Sequence, residues 1–256
     1  MTNMKMTSET HSTHISQQFN QELEEIRSNL LAMGGLVEKQ VTDAIYALIE
    51  GDSTIAAKVR QNDKAINQMQ LTIDEECTRI LARRQPAASD LRLILAVIRA
   101  TGDLERIGDE ASKIARHAMH LVEEGESPRG YIEARHIGNQ VRKMVQDALN
   151  AFARFDTQLA VQVVHEDKTV DLEYRSATRA LVTFMMEDPR SISRVLNIMW
   201  VLRALERIGD HSNNIAEYVI YLVKGMDVRH SSPEAIEESL RDNLLADHLK
   251  NSKEDS

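Results

Sequence analysis

The hexapeptide Leu-Glu-Arg-Ile-Gly-Asp occurs twice, at Leu104–Asp109 and at Leu205–Asp210, and each copy sets a glutamate four residues before an aspartate. On a helix, residues i and i+4 project from one face, so Glu105/Asp109 and Glu206/Asp210 form two carboxylate pairs. Two carboxylates about 5–6 Å apart repel by about 3 kcal/mol at an effective dielectric near 20, and by under about 1 kcal/mol in bulk water. A partly buried pair therefore needs a cation or a proton. Clustered carboxylate oxygens suit hard or borderline ions such as Mg²⁺, Mn²⁺, iron or Zn²⁺ better than they suit thiolate-seeking metals.

The copies belong to a longer duplication: Leu104–Val122 and Leu205–Val223 agree at ten of nineteen positions. Glu105 and Asp109 continue the packing stripe of Leu91, Ile94 and Ile98, so they face or edge onto a neighbouring helix. Gly108 and Gly209 are costly in mid-helix, which points to a close approach there. Competing with the metal reading is a solvated, salt-bridged surface in which Arg99 reaches Asp103, Lys113 reaches Asp109 and Arg203 reaches Glu206.

The elements that must position these acids are helices. Ala, Leu, Glu and Arg, all good helix formers, are the commonest residues of a chain of 256 residues that is 42% hydrophobic and 4% aromatic. Apolar residues recur at steps of three and four from Ile15 to Leu48, again from Ile55 to Ile80 and from Leu91 to Val122, giving three helices. Gly34-Gly35 marks a bend in the first, Ser53 and Ser89 are the expected N-caps of the next two, and Pro86 ends the second. The plan then repeats: helices from Tyr131 to Phe155, onward to Met186, and from beyond Pro189 to Val223. Asp52-Ser53 matches Asp156-Thr157, and Pro86 matches Pro189.

The expected fold is all-α, with two tandem antiparallel three-helix bundles related by internal duplication. The divisions are a flexible N-terminus over 1–14, a first bundle over 15–124, a linker over 125–130, a second bundle over 131–226, and a polar tail over 227–256 in which Pro233 to Leu249 could form a helix. Folding back about the two prolines sets Asp63 level with Asp109 and Asn67 level with Glu105. It likewise sets Asp167 level with Asp210 and Asp171 level with Glu206. Each bundle then gathers four oxygen-bearing side chains, to which Ser112 and Asn213 could add neutral oxygens. Asn67 stands where the second bundle has Asp171, so two unequal sites are expected, the second the stronger.

Other chemistries find less support. A net charge of −9 without a Lys/Arg cluster argues against nucleic acid. The lone Cys77 is expected to be a buried apolar residue in a reducing compartment. Apolar runs are too short to span a membrane and residues 1 to 14 lack a signal-peptide core, so a soluble, cytoplasmic protein is expected. A di-iron enzyme wants paired Glu-x-x-His units, whereas the one instance, Glu133 to His136, reads as surface decoration. No Gly-rich phosphate loop or hydrolase elbow is present. His211 is expected at the surface, and Met185, Met186 and Met199 in the core. A metal-free helical scaffold and a carboxylate-bridged metalloenzyme remain as alternatives to a metal-binding regulator.

Several stretches resemble the PhoU family of phosphate-specific transport system accessory proteins. They are Ser-Gln-Gln-Phe-Asn ending at Asn20, Met33-Gly-Gly-Leu-Val, Arg84-Gln-Pro-Ala-Ala-Ser-Asp-Leu-Arg92, both hexapeptides and Met186-Glu-Asp-Pro, and the likeness runs from about residue 12 to residue 230. The resemblance implies two three-helix bundles, a homodimer, and a non-enzymatic cytoplasmic protein held at the inner membrane through its partners. Those implied partners are the phosphate ABC transporter, through its ATPase subunit, and the phosphate sensor histidine kinase. The implied function is to repress the phosphate-starvation response and restrain phosphate uptake. Metal-cluster motifs of that family fall here on Glu105/Asp109 and Glu206/Asp210, with Asp63, Asp167 and Asp171 as companion acids, and Asn67 departs from the pattern.

Overall fold

Asp52 and Asp156 begin equivalent helices. The Asp52 carboxylate accepts from the backbone N–H of Thr54 at 2.8 Å and Ile55 at 3.0 Å, and that of Asp156 accepts from Gln158 and Leu159, both at 3.0 Å. Each satisfies amides that the first helical turn leaves unpaired. The cap is therefore Asp52 rather than Ser53. Ser89 also lies inside its helix, whose N-cap position is Ala87 without a side-chain bond.

The computed structural model describes residues 4–125, 131–229 and 231–241. Six long helices carry the chain: α1 Met4–Glu50, α2 Ser53–Arg84, α3 Ala88–Glu123, α4 Tyr131–Arg154, α5 Thr157–Glu187 and α6 Ile192–Lys224, with a 3-10 turn at Pro189–Ser191 before the last. The fold is all-α, two repeats of a three-helix bundle. Helix α1 starts inside the segment expected to be a flexible tail. The expected linker falls, from 126 to 130, outside the described residues, as does the tail beyond 241. Before that point residues 233–241 are helical. Val228 and Ile236 join the core, and Glu237 meets His165 of α5 at 2.9 Å.

Within each repeat all three helices touch, yet the most extensive helix–helix contact joins α3 to α6 across the repeats, with α1 against α4 behind it. One continuous apolar core results. The repeats are related by a pseudo-two-fold axis visible in single contacts. A Cβ on Gly34 of α1 would lie 2.4 Å from Leu149 of α4, and one on Gly138 of α4 would lie 3.2 Å from Ile45 of α1. Gly34 thus admits a neighbouring helix, and α1 runs through it without interruption. Among the described residues, no helix is long and apolar enough to cross a membrane.

Candidate metal centres

Helices α5 and α6 bring the second set of acids together. Asp171, Glu206 and Asp210 each offer an oxygen within 4.8 Å of the others, with Glu206 buried and the two aspartates half-buried. Asp167, one turn before Asp171, closes the group from below. Its Oδ1 lies 3.3 Å from where a Cβ on Gly209 would stand, so the glycine keeps room for the carboxylate beside α6. Burial, followed by the charges of Asp210, Asp171, Glu206 and Glu217, pushes Asp167 up to about 7. Burial and then Asp210 raise Glu206, and burial and then Asp171 raise Asp210. These are carboxylates that fold at the expense of their charged form.

In the first repeat Asp63 of α2 lies near enough to Glu105 and Asp109 of α3 for their charges to act on one another, without the close grouping of the second. Asp63 is raised by burial and then by Asp109, and Glu105 by burial and then by Asp109 and Asp63. Gln40, outside the acid pattern of the sequence, joins them. From α1 it donates to the carbonyls of Val59 and Gly108, each at 3.3 Å, and its Nε2 stands 3.5 Å from Asp63 Oδ1. Its position was legible, because Gln40 interrupts the apolar register of Met33, Val37, Ala44 and Ala47. In the second repeat the matching residue is Met144, whose Cε lies 3.8 Å from the Gly209 Cβ position, just as Gln40 Oε1 lies 3.8 Å from that of Gly108.

A cation fits what these residues present. Glu206 Oε2 and Asn213 Oδ1 in the second repeat, and Gln40 Oε1 and Asn67 Oδ1 in the first, are buried acceptors without a hydrogen-bond donor. Buried acceptors of this kind are costly unless something positive meets them. Asp171, Glu206 and Asp210, with Asp167, would hold a hard divalent ion in the second repeat. Asp63, Glu105 and Asp109, with the Asn67 amide oxygen, would do so in the first. A bound ion would supply the positive charge that offsets carboxylate repulsion. Two exposed cations pair with the second group from its rim, Arg203 at 2.5 Å from Glu206 and Arg175 at 3.6 Å from Asp171.

Between the two acid groups lies the α3–α6 contact, which the sequence reading underestimated. His211, expected at the surface, is 7% exposed and its Nδ1 lies 2.8 Å from Asp103 Oδ1. Rotated about 100° from Asp210, it points at the other repeat, which covers a side of α6 that a lone bundle would leave open. Asp103 also accepts from Asn214 at 3.1 Å and from the Tyr218 hydroxyl at 2.8 Å. Burial and Asp103 raise Tyr218 well above an ordinary phenol. Arg99, expected on Asp103, instead lies over the rings of Tyr218 and Tyr221. Lys113 pairs with Glu110 at 3.0 Å rather than with Asp109, and Arg207 joins the same carboxylate at 2.8 Å.

Other expectations resolve more simply. Cys77 is buried, and burial pushes its thiol up to about 12, leaving it inert. Met185 and Met199 pack on the core but Met186 is 80% exposed, because it ends α5 beyond the last residue covered by α6. His136 is exposed and meets Glu173 at 3.3 Å, with Glu133 beside them on the rim of a surface cavity between α4 and α5.

The PhoU domain family matches this chain over residues 30–118 and 134–219, one match per repeat. A Pseudomonas aeruginosa protein named "Phosphate-specific transport system accessory protein PhoU homolog" is 68% identical over 230 residues, covering 90% of this chain and 95% of its own. The Escherichia coli accessory protein PhoU is 45% identical over 227 residues, covering 89% and 94%. Among solved structures, PhoU from Pseudomonas aeruginosa superposes with a TM-score of 0.80 at 70% identity, over 81% of this chain and all (100%) of that one. The phosphate transport system regulatory protein PhoU from Streptococcus pneumoniae gives 0.75 at 30% identity, over 81% and 98%.

Proposed function

The chain belongs to the PhoU family, and we propose that it is a non-enzymatic accessory protein of phosphate-specific transport that represses the phosphate-starvation response and limits phosphate uptake. In this reading it is a cytoplasmic homodimer, an adaptor between the ATPase subunit of the phosphate ABC transporter and the phosphate sensor histidine kinase, and it reaches the inner membrane through those partners. The observation that carries the reading is likeness over almost the full length of relatives named for this system, at 68% identity. The test is a deletion strain grown in high phosphate. Phosphate-responsive genes should be derepressed and return to the repressed level when the full chain is restored. Unaltered expression in the deletion strain would overturn the reading.

Both acid groups are read as metal sites, with Asp63, Asn67, Glu105 and Asp109 in the first and Asp167, Asp171, Glu206 and Asp210 in the second. Support for the second comes from the oxygens of Asp171, Glu206 and Asp210 within 4.8 Å of one another, and for both from the buried acceptors Glu206 Oε2, Asn213 Oδ1, Gln40 Oε1 and Asn67 Oδ1. Metal analysis after exposure to Mn²⁺ should show less metal in Glu206→Gln/Asp210→Asn than in the wild type. Equal metal content in the two proteins would remove the second site. The same variant in the deletion strain reports whether repression needs that site.

A further inference from the structure

We propose that the outer faces of α3 and α6 form a strip that docks directly on an anionic phospholipid bilayer, with Trp200 entering the headgroup layer. This contact is additional to any made through protein partners and does not depend on metal in the acid groups.

On α6, Ile192, Leu196, Trp200, Arg203 and Arg207 follow one another in steps of four, four, three and four, and all are exposed. They share one face of the helix. On α3, Arg106, Lys113 and Arg116 are exposed as well. His117 bonds Asn197 at 2.9 Å and Arg207 pairs with Glu110 at 2.8 Å, which fixes the two helices antiparallel and brings Arg116 level with Trp200 and Lys113 level with Arg203. Five cations thus flank an aromatic and two aliphatic side chains, in a chain whose net charge is −9.

The anions among these five cations are Glu110 and Glu206, both buried and paired with Lys113, Arg207 and Arg203. The acids of the two groups sit half-buried in the flanking grooves, toward α2 on one side and α5 on the other, and the exposed Glu123 and Glu124 lie at the far end of α3, where Ser193 donates to Glu124 at 2.8 Å. Trp200, the only tryptophan in the chain, is 61% exposed. A large exposed aromatic ringed by Arg and Lys is poorly served by water. It matches the interfacial layer of an anionic membrane, where tryptophan is favoured and each basic residue adds affinity. Charge complementarity calls for an anionic partner. The strip lies on the outward faces of two helices packed side by side, which suits a lipid plane better than a single inserted peptide.

The single tryptophan makes the test direct. The full chain is titrated with vesicles of phosphatidylglycerol and phosphatidylcholine, or of phosphatidylcholine alone, in chelated and in Mn²⁺-containing buffer, reading Trp200 emission and sedimentation. A blue shift and co-sedimentation with anionic vesicles in either buffer, lost at high salt, is expected. Arg106→Glu/Arg116→Glu should weaken the affinity at least about twenty-five-fold, since each basic residue removed is worth about five-fold. Its circular dichroism and melting should match the wild type, and Trp200→Phe should still sediment. Four results would each overturn the proposal: no binding in either buffer, which leaves the face to an acidic protein partner; equal binding to both vesicles; sedimentation without an emission change; or emission already shifted in a concentration-dependent way before vesicles are added, the mark of a second copy covering Trp200. Metal occupancy is read separately, so failure here leaves the metal sites standing.

Discussion

Removing the charge of Asp167 should stabilise the metal-free protein at alkaline pH and change little in acid. Asp167 lies among Asp210, Asp171, Glu206 and Glu217, and its carboxyl rises from 3.8 to about 7 on folding. Between those values the folded state holds a proton that the unfolded chain has lost. Stability therefore falls as pH climbs through this window and levels off above it. At about 1.4 kcal/mol per pH unit the ceiling is about 4 kcal/mol, and because its acidic neighbours titrate with it, about 2–4 kcal/mol is expected. For a chain of this size that is a gain of about 5–10 °C in melting temperature. Melts of wild type and Asp167→Asn in EDTA, at steps from pH 4.5 to 8.5, measure it. At pH 4.5 folded Asp167 is protonated and nearly isosteric with Asn, and less than one pH unit of the window has been crossed, so the curves should lie within about 1 kcal/mol, with the variant further ahead by pH 8.5. A gap of equal size at both ends, or a less stable variant at pH 8.5, would refute the reasoning. Mn²⁺ at about 1,000 times its Kd should close or reverse the gap at pH 8, because it adds about 4.1 kcal/mol to the protein that binds it.

Three further outcomes follow from single contacts. Asn67→Asp gives the first repeat the acid that the second has at Asp171, and should tighten Mn²⁺ binding there while lowering metal-free stability at pH 8; calorimetric titration and melting in EDTA read both. Gly35 has nothing within 4 Å of its Cβ position, whereas Gly34 would meet Leu149. Gly35→Ala should therefore stabilise by about 1 kcal/mol and Gly34→Ala should fall at least about 1 kcal/mol short of it in denaturant melts. Asp103→Ala leaves His211, Asn214 and Tyr218 without their shared acceptor. It should cost about 3–5 kcal/mol, seen as a lower denaturant midpoint, and Asp103→Asn should recover part of that.

Helix number, order and turns were legible because they rest on local signals: apolar steps of three and four, and Pro86 and Pro189 where helices must stop. Levelling the helices about those prolines likewise set Asp171 opposite Glu206 and Asp63 opposite Asp109, since helical rise is fixed whatever the surroundings. What the sequence hid is set by rotation about the helix axis and by which helix covers which face. His211 was expected outside because a lone bundle would leave that side of α6 open, and only the other repeat closes it. Gln40 is hidden for the converse reason: it is a single polar residue in an apolar register on α1, a helix that carries none of the paired acids. Ser53 and Ser89 were expected as caps, but an ionised aspartate one position earlier is the better acceptor at α2, and at α3 the backbone needs no side chain.

The α3–α6 contact also accounts for why the hexapeptide, more than its surroundings, has stayed identical in both repeats. Its residues serve three different surfaces at once. Leu104, Ile107 and their counterparts are fully buried in the core. Each Glu and Asp turns to a companion helix and its acids, and each Gly lets that helix approach, through Ile66 in one repeat and Asp167 in the other. The arginine lies toward the pseudo-axis, where Arg207 reaches Glu110. A change that suits one surface disturbs another, so few substitutions are neutral. Just outside the hexapeptide that constraint lapses, and there the repeats diverge in chemistry. Glu110 in one corresponds to His211 in the other, and Asp103 to Ala204. The symmetric arrangement would set Arg106 against a second acid. Instead His211 takes that place and binds Asp103, so the pseudo-axis carries two unlike pairs. Pairs of different chemistry cannot exchange partners, which fixes the two repeats in a single register while the acid groups outside them are free to differ in strength.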